Sequence, residues 1–325
     1  MDRRRFLVAA PAFGAALASG YATASTWPQQ ALRLVNPYPP GGIVDILARA
    51  VAVDLGKAIG QPVVVDNKAG AGGNIGTALV ARARGDAHTL LMGASGPLAI
   101  NASLYKNLNF DPLKDFTPIS LLAATPLVLV TSKKSGVSSV SDLMSRLRDA
   151  NVKTFYASAG AGTPQHLAAE LFLQKTKLAS THVAYKGGAP AVLAVLASEV
   201  LYSFENLALV SAHIASGAMT ALAVTSPKRV DLLPDVPTVA ESGVPGFEAR
   251  GWYGLLAPAG IPAEVTERLI QETLNIARSP NFQKLVASFG SDNVAQGPAA
   301  FAKLIAAESE KWRSIIVAGN IKLDM

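Results

Sequence analysis

Tyr38-Pro39-Pro40-Gly41-Gly42-Ile43-Val44-Asp45 decides the fold, because it sets a glycine turn between an apolar strand and an amphipathic helix. Leu32-Arg33-Leu34-Val35-Asn36 before it reads as a short buried strand, and from Ile43 to Ile59 the residues Ile43, Ile46, Leu47, Ala50, Val51, Leu55 and Ala58 recur at helical spacing. Pro39 and Pro40 stop the strand, while Gly41 and Gly42 allow backbone angles and close approach that a β-carbon would block. A strand, a tight turn and an exposed helix N-terminus follow. The first amides of a helix lack partners inside it and carry the positive end of the dipole, so an anion is the natural guest. Many strand-to-helix turns carry glycine simply to turn, and taken alone this stretch also fits that plainer role.

The alternation continues down the chain. Pro62 to Asp66 reads as a strand, then the glycine-rich run Asn67 to Gly76 opens a helix to about Arg84. Ile75 stands where a dinucleotide fingerprint begun at Gly70 needs glycine, and no acidic residue follows at the ribose position. Thr89 to Gly93 is a third strand. Ser95 in the turn after it is a candidate ligand donor, and Gly93-x-Ser95-Gly96-Pro97 is not a hydrolase nucleophile elbow. After Pro126 a further strand, Leu127 to Val130, is expected. Strand and helix in alternation predict parallel sheets with helices on both faces.

From Ser138 the pattern restarts as a second lobe. Strand Thr154 to Ser158 runs into Ala159-Gly160-Ala161-Gly162-Thr163-Pro164-Gln165-His166, where Thr163 fits an N-cap and Pro164 a first helical residue. This is a second anion-receptive helix terminus. Strand His182 to Tyr185, the turn Lys186-Gly187-Gly188 and strand Val200 to Phe204 come next, with Glu205 and Asn206 at a strand end, the place where open α/β sheets hold ligands. Ala221 to Thr225 closes the lobe, and helices are expected over about 262–278, 281–289 and 298–317, packed back on the first lobe.

With 325 residues, half of them hydrophobic, and mean hydropathy +0.30, the chain can bury a large core in two lobes. Its formal charge is +6, but only 16% of residues are charged and no basic aromatic stripe marks a nucleic-acid binder. Arg3-Arg4-Arg5, an apolar run from Val8 to Ala18, and Ala22-Thr23-Ala24 form the three parts of an export signal, with cleavage expected after Ala24. The Arg3-Arg4-x-Phe6-Leu7 pattern is compatible with either export route. There is no cysteine, which excludes disulfide scaffolds, iron–sulfur clusters and cysteine enzymes. His88, His166, His182 and His213 stand at no metal-ligand spacing, and neither a metal nor a cofactor is expected.

Six motifs in order resemble the Bug-type periplasmic solute receptors of tripartite tricarboxylate transport systems. They are Pro39-x-Gly41-Gly42-x-x-Asp45-x-x-Ala48-Arg49, Asn67-x-x-Gly70-Ala71-Gly72-Gly73-Asn74-Ile75-Gly76, Asp111-Pro112-x-Lys114-Asp115-Phe116, Ser158-x-Gly160-x-Gly162-Thr163-x-x-His166-Leu167, Tyr185-Lys186-Gly187-Gly188 and Leu233-Pro234-Asp235-Val236-Pro237-Thr238. The resemblance implies a type II periplasmic binding protein of two mostly parallel-sheet lobes, with residues 25–124 and 227–325 in one lobe and 125–226 in the other. Hinges fall near Ala124, Thr125 and Ser226. It implies a non-enzymatic receptor that closes on a small organic acid (a dicarboxylate, amino acid or aromatic acid), holds one carboxylate between the two glycine loops through backbone amides and water, and serves membrane permease subunits. Glu205 stands where the family more often has aspartate, and Asp86-Ala87-His88 and Glu199-Val200 also depart from its pattern.

The ligand-binding candidates are Tyr38, Pro40, Gly41, Gly42, Asp45, Ser95, Ser158, Gly160, Gly162, Thr163, His166, Phe204 and Glu205. Asp45 has two readings, a local pair with Arg49 at i,i+4 or an acceptor for a bridging water or ligand amine. For His166 a structural hydrogen bond is the simpler role. Neither loop contains Lys or Arg, so affinity is expected to depend on backbone shape at Gly41, Gly42, Gly160 and Gly162 more than on any charged side chain. An exported α/β enzyme acting on a small carboxylic acid is the competing class, although none of its signature motifs is present.

Overall fold

The structure, a computed structural model, describes residues 27–321, so the expected export leader at 1–24 lies outside the described residues. In the first lobe β1 (Leu32–Asn36) pairs in parallel with β2 (Val63–Asn67) and with β3 (Thr89–Ala94). The helix between the first two strands, α1 (Ile43–Ile59), buries Val44, Leu47, Ala48, Val51 and Leu55, a stripe at helical spacing that seals one face of this sheet. A single 3-10 turn at Ala71–Gly73 leads into α2 (Asn74–Arg82), and after β3 a wide turn at Gly96–Ile100 leads into the short α3 (Asn101–Leu104).

The connection between lobes is one long strand rather than two short ones. β4 (Phe116–Ser132) runs through Pro118 and Pro126 without ending. Its first half pairs antiparallel with β9 (Arg250–Pro258), and Leu127 to Thr131 pair antiparallel with β7 (Tyr202–Asn206). A break was expected at Pro126, because proline lacks the N–H that a ladder needs. Pro126 lies where β4 exchanges one neighbour for the other, and the register shifts after Pro118 absorb the first proline. β4 therefore belongs to both sheets.

The second lobe repeats the parallel device. α4 (Val140–Arg148) precedes β5 (Phe155–Ser158), α5 (Pro164–Thr176), β6 (Thr181–Ala184) and α6 (Gly188–Leu196), after which β7 is followed by α7 (Leu207–Ala215) and β8 (Met219–Val224). β5 pairs in parallel with both β6 and β7, while β8 runs antiparallel on the far side of β4. Each lobe thus has a parallel triplet whose C-terminal strand ends face the gap between lobes, joined through antiparallel crossing strands.

Residues 227–249, expected in the first lobe, cover the second. Val239 donates its amide to Val224, Phe247 stacks on Phe204 at 6.1 Å, and the Ala249 amide reaches Thr225. Their apolar side chains have a ready partner in the Phe172 and Phe204 face, and sequence distance gave no hint of it. The chain then returns through β9 to α8 (Ala263–Arg278), α9 (Pro280–Ala287) and β10 (Asp292–Gln296), which pairs with β4. The last helix, α10 (Pro298–Ala318), does not pack on the first lobe alone. Phe301 meets Trp252 edge-on, while Gln174 of α5 donates to the Ile315 carbonyl, so α10 spans both lobes. At the crossing, Thr225 hydroxyl accepts from the Leu127 amide at 2.7 Å, and the Thr125 and Ser291 hydroxyls meet at 2.8 Å.

Candidate functional site

The first glycine loop is braced from within. Asp45, in the first turn of α1, is buried, and its carboxylate accepts from the Gly41 amide at 3.0 Å, Arg49 Nε at 2.9 Å and Asn67 Nδ2 at 2.9 Å, with Asn36 Nδ2 at 3.5 Å. Burial alone would raise its pKa, but the hydrogen bonds from Arg49, Asn67 and Gly41 outweigh that and hold it down at about 2. Its acceptor capacity is spent on the loop itself, which favours the local role over the ligand-facing one. Gly41 at φ +87 takes the left-handed angle that lets its amide turn back to Asp45. Asn67 was not among the sequence candidates. Its signal was position, since it ends β2 beside the loop just as Asn36 ends β1.

What the brace leaves over is directional. Among the described residues, the amides of Gly42, Ile43 and Val44 have no acceptor, and Gly42 caps α1 without a side-chain bond. These are the donors of an anion site. Pro40, Gly41 and Gly42 are exposed at its rim. A Cβ on Gly42 would meet nothing within 4 Å, and its φ of −82 suits any residue, so the sensitivity expected at Gly42 has no steric basis.

Behind this loop the Tyr38 hydroxyl and Asn101 Nδ2 both donate to the Gly72 carbonyl, at 3.3 and 3.2 Å, and Asn101 also reaches Asn74 Oδ1 at 2.7 Å. Burial pushes the Tyr38 phenol well above its ordinary pKa, so it stays a neutral donor. Ser95 follows β3 directly with its hydroxyl buried and unpartnered, and Asn101 Oδ1 is unpartnered too. Buried polar groups are normally satisfied, so each orphan at a cleft points to a missing guest.

The second loop is braced by neutral groups. The Ser158 hydroxyl accepts from the Gly160 amide at 3.1 Å and meets His182 Nε2 at 2.6 Å, and Thr163 caps α5 through the His166 amide while donating to the Gly160 carbonyl. His166 Nδ1 accepts from the Gly162 amide at 3.2 Å, a hydrogen bond within the loop. Its ring stacks on His182 at 4.0 Å, and burial first, then that neighbour, lower its pKa to about 3. His166 is therefore neutral at ordinary pH. Because the Gly160 and Gly162 amides are used inside the loop, the donors left to a ligand are Ala161 and Gln165, for which no acceptor is found among the described residues.

The second loop meets the first lobe across the cleft, at Gly72, Asn101 and Leu104. A Cβ on Gly162 would lie 2.7 Å from Asn101 Oδ1 and 3.2 Å from Leu104, both in the opposite lobe, and one on Gly72 would lie 3.6 Å from the Ala161 carbonyl. The backbones approach only because side chains are absent. Two candidates fall away from this surface: Phe204 points into the core against Phe172 and Phe247, and Ser158 serves the loop rather than the gap. Phe204 faces away because side chains alternate along a strand, which puts its neighbour Glu205 on the other face. Neither loop contains Lys or Arg, Arg49 is paired with Asp45, and Lys186 is exposed at the rim. No group of three or more His, Asp or Glu able to hold a metal occurs among the described residues.

The geometry is that of a two-lobed receptor, and comparison with known proteins agrees. The model of the tripartite tricarboxylate transporter family receptor matches residues 47–321. BugT of Bordetella pertussis is 35% identical over 302 residues, covering 93% of each chain. Among solved structures, Rpa4515 of R. palustris with adipate is 33% identical with a TM-score of 0.85, covering 91% of this chain and 99% of the other. MatC of Rhodopseudomonas palustris with bound malate is 28% identical with a TM-score of 0.82, covering 89% of this chain and 100% of the other. The chain belongs to the tripartite tricarboxylate transporter receptor family, a family of solute-binding receptors and not of enzymes.

Proposed function

We propose that this receptor binds a small organic acid through its carboxylate, held between the α1 terminus and the 159–163 loop, and presents it to membrane permease subunits from the periplasm. The observation that carries this is a set of unpartnered backbone donors at the glycine loop of each lobe, neither loop containing Lys or Arg. Two opposed helix ends, each worth about 0.3–2 kcal/mol to an anion, act together once closure removes water. That relatives were solved with adipate and with malate supports a carboxylate as guest. Among the described residues no helix is long and apolar enough to cross a membrane, and the export signal read at 1–24 accounts for the proposed compartment.

Thermal-shift screening of dicarboxylates, amino acids and aromatic acids is expected to find at least one that raises the melting temperature without being consumed. Turnover of that acid would overturn the reading. Closure about Ala124–Thr125 and Ser226 is expected to compact the ligand-stripped protein on saturation, visible as a smaller radius in small-angle scattering. Superimposable curves from a verified empty sample and a saturated one would contradict it.

A further inference from the structure

The first turn of α6 lies at the end of the parallel triplet of the second lobe, beside the loop that follows β5: the Gly187 amide donates to the Ala159 carbonyl at 3.1 Å. α6 has nine residues, its N-cap Gly187 supplies no side-chain bond, and the amides of Gly188 and Ala189 have no acceptor among the described residues. Directly beneath this turn is Glu205. Its side chain is completely buried, both carboxyl oxygens lack any partner, and Oε2 lies 3.1 Å from where a Cβ on Gly188 would stand. Ser203, two residues earlier on the same face of β7, is buried and unpartnered as well.

An unpaired carboxylate in such a place would be costly, and burial drives the Glu205 pKa well above its ordinary value, so the group is a neutral acid with a proton to donate. Every polar group there can then donate: the two helix amides can only donate, and the carboxylic acid and the hydroxyl each offer an O–H. A cation would face the positive end of the α6 dipole and find no ionised partner, whereas an oxyanion suits all of them. We infer that Glu205 and the α6 N-terminus form a second, distal subsite that takes the far carboxylate of a diacid, with Glu205 as the specificity-determining donor. This rests on the carboxylate-receptor reading above, and it selects diacids over monoacids and over amino acids whose ammonium is distal.

The test is calorimetric titration of the unmodified protein with linear diacids of increasing length, the matching monoacids, and the matching ω-amino acids, repeated on Glu205→Gln and Glu205→Leu. The best diacid should bind about 10–100-fold more tightly than its monoacid, the loss expected for one hydrogen bond to a charged group. Gln retains a donor, so that ratio should hold within about threefold in Glu205→Gln and collapse in Glu205→Leu. A preference for the ω-amino acid, an undiminished ratio in Glu205→Leu, or equal loss in both variants would overturn the inference while leaving the receptor reading intact. Should Glu205→Leu fail to fold, the ligand series on the unmodified protein and the Gln variant still decide. If no acid of any kind binds the unmodified protein, the receptor reading itself fails and the subsite with it.

Discussion

Gly162→Val will abolish ligand binding, by about a hundredfold or more, in a protein whose two lobes remain folded. The position sits at φ +76, where a β-branched residue is strained, and its Cβ would lie 2.7 Å from Asn101 Oδ1 and 3.2 Å from Leu104 Cδ1. Both obstructing atoms belong to the opposite lobe. The clash therefore opposes closure much more than it opposes folding of either lobe, and apparent affinity falls in proportion to the closed fraction. The amide of Gly162 would also be displaced from His166 Nδ1, loosening the brace that aims Ala161 and Gln165. Circular dichroism and melting should show a folded protein, with titration showing the loss. Gly42→Val, where a Cβ would meet nothing within 4 Å and φ is −82, is expected to cost far less. Normal binding by Gly162→Val would mean that the lobes do not meet here in the liganded state.

Asp45→Ala should both weaken binding and destabilise the first lobe. It removes the acceptor of the Gly41 amide, Asn67 and Arg49 at once, and leaving buried donors unpaired costs about 1–3 kcal/mol. The binding loss follows because α1's free amides are aimed by the loop that Asp45 pins. The effect has a pH signature. Asp45 has a folded pKa lowered from the ordinary 3.8 to about 2, so its contribution is present above about pH 4 and is lost as pH falls toward 2. Denaturant unfolding of the variant and the parent should differ at neutral pH and converge over that acid window. A constant difference down to the lowest pH would show that the carboxylate's charge is not what stabilises the loop.

Local chemistry made much of the fold legible. The α1 stripe, the Thr163 cap with Pro164, and the glycine turns at strand ends each depend on neighbours within a few residues, and sequence displays such relations directly. Long-range consequences were hidden. Pro126 looked like a strand break because nothing in the sequence says that β4 exchanges β9 for β7 at that residue. α7 went unread, and β10 and the packing of 227–249 against the Phe172 and Phe204 face were hidden because each depends on a partner distant in sequence. In the site, glycine positions were visible but amide directions were not. That Gly41, Gly160 and Gly162 spend their N–H groups on Asp45, Ser158 and His166 moves the ligand donors to their neighbours. Asn101 carried no signal at all, since its importance comes from facing Gly162 across the cleft.

The central claim is that backbone donors, not a side-chain cation, hold the acid. Titration of the double variant Arg49→Ala/Lys186→Ala with the best-binding carboxylate tests it most directly, because it deletes the cation paired to Asp45 and the one exposed at the rim. Arg49 is largely exposed, so its ion pair adds little to stability and the variant should fold. Affinity is predicted to stay within about tenfold of the parent, or 1.4 kcal/mol. A folded double variant that no longer binds would contradict the account and assign the acid to an ion pair.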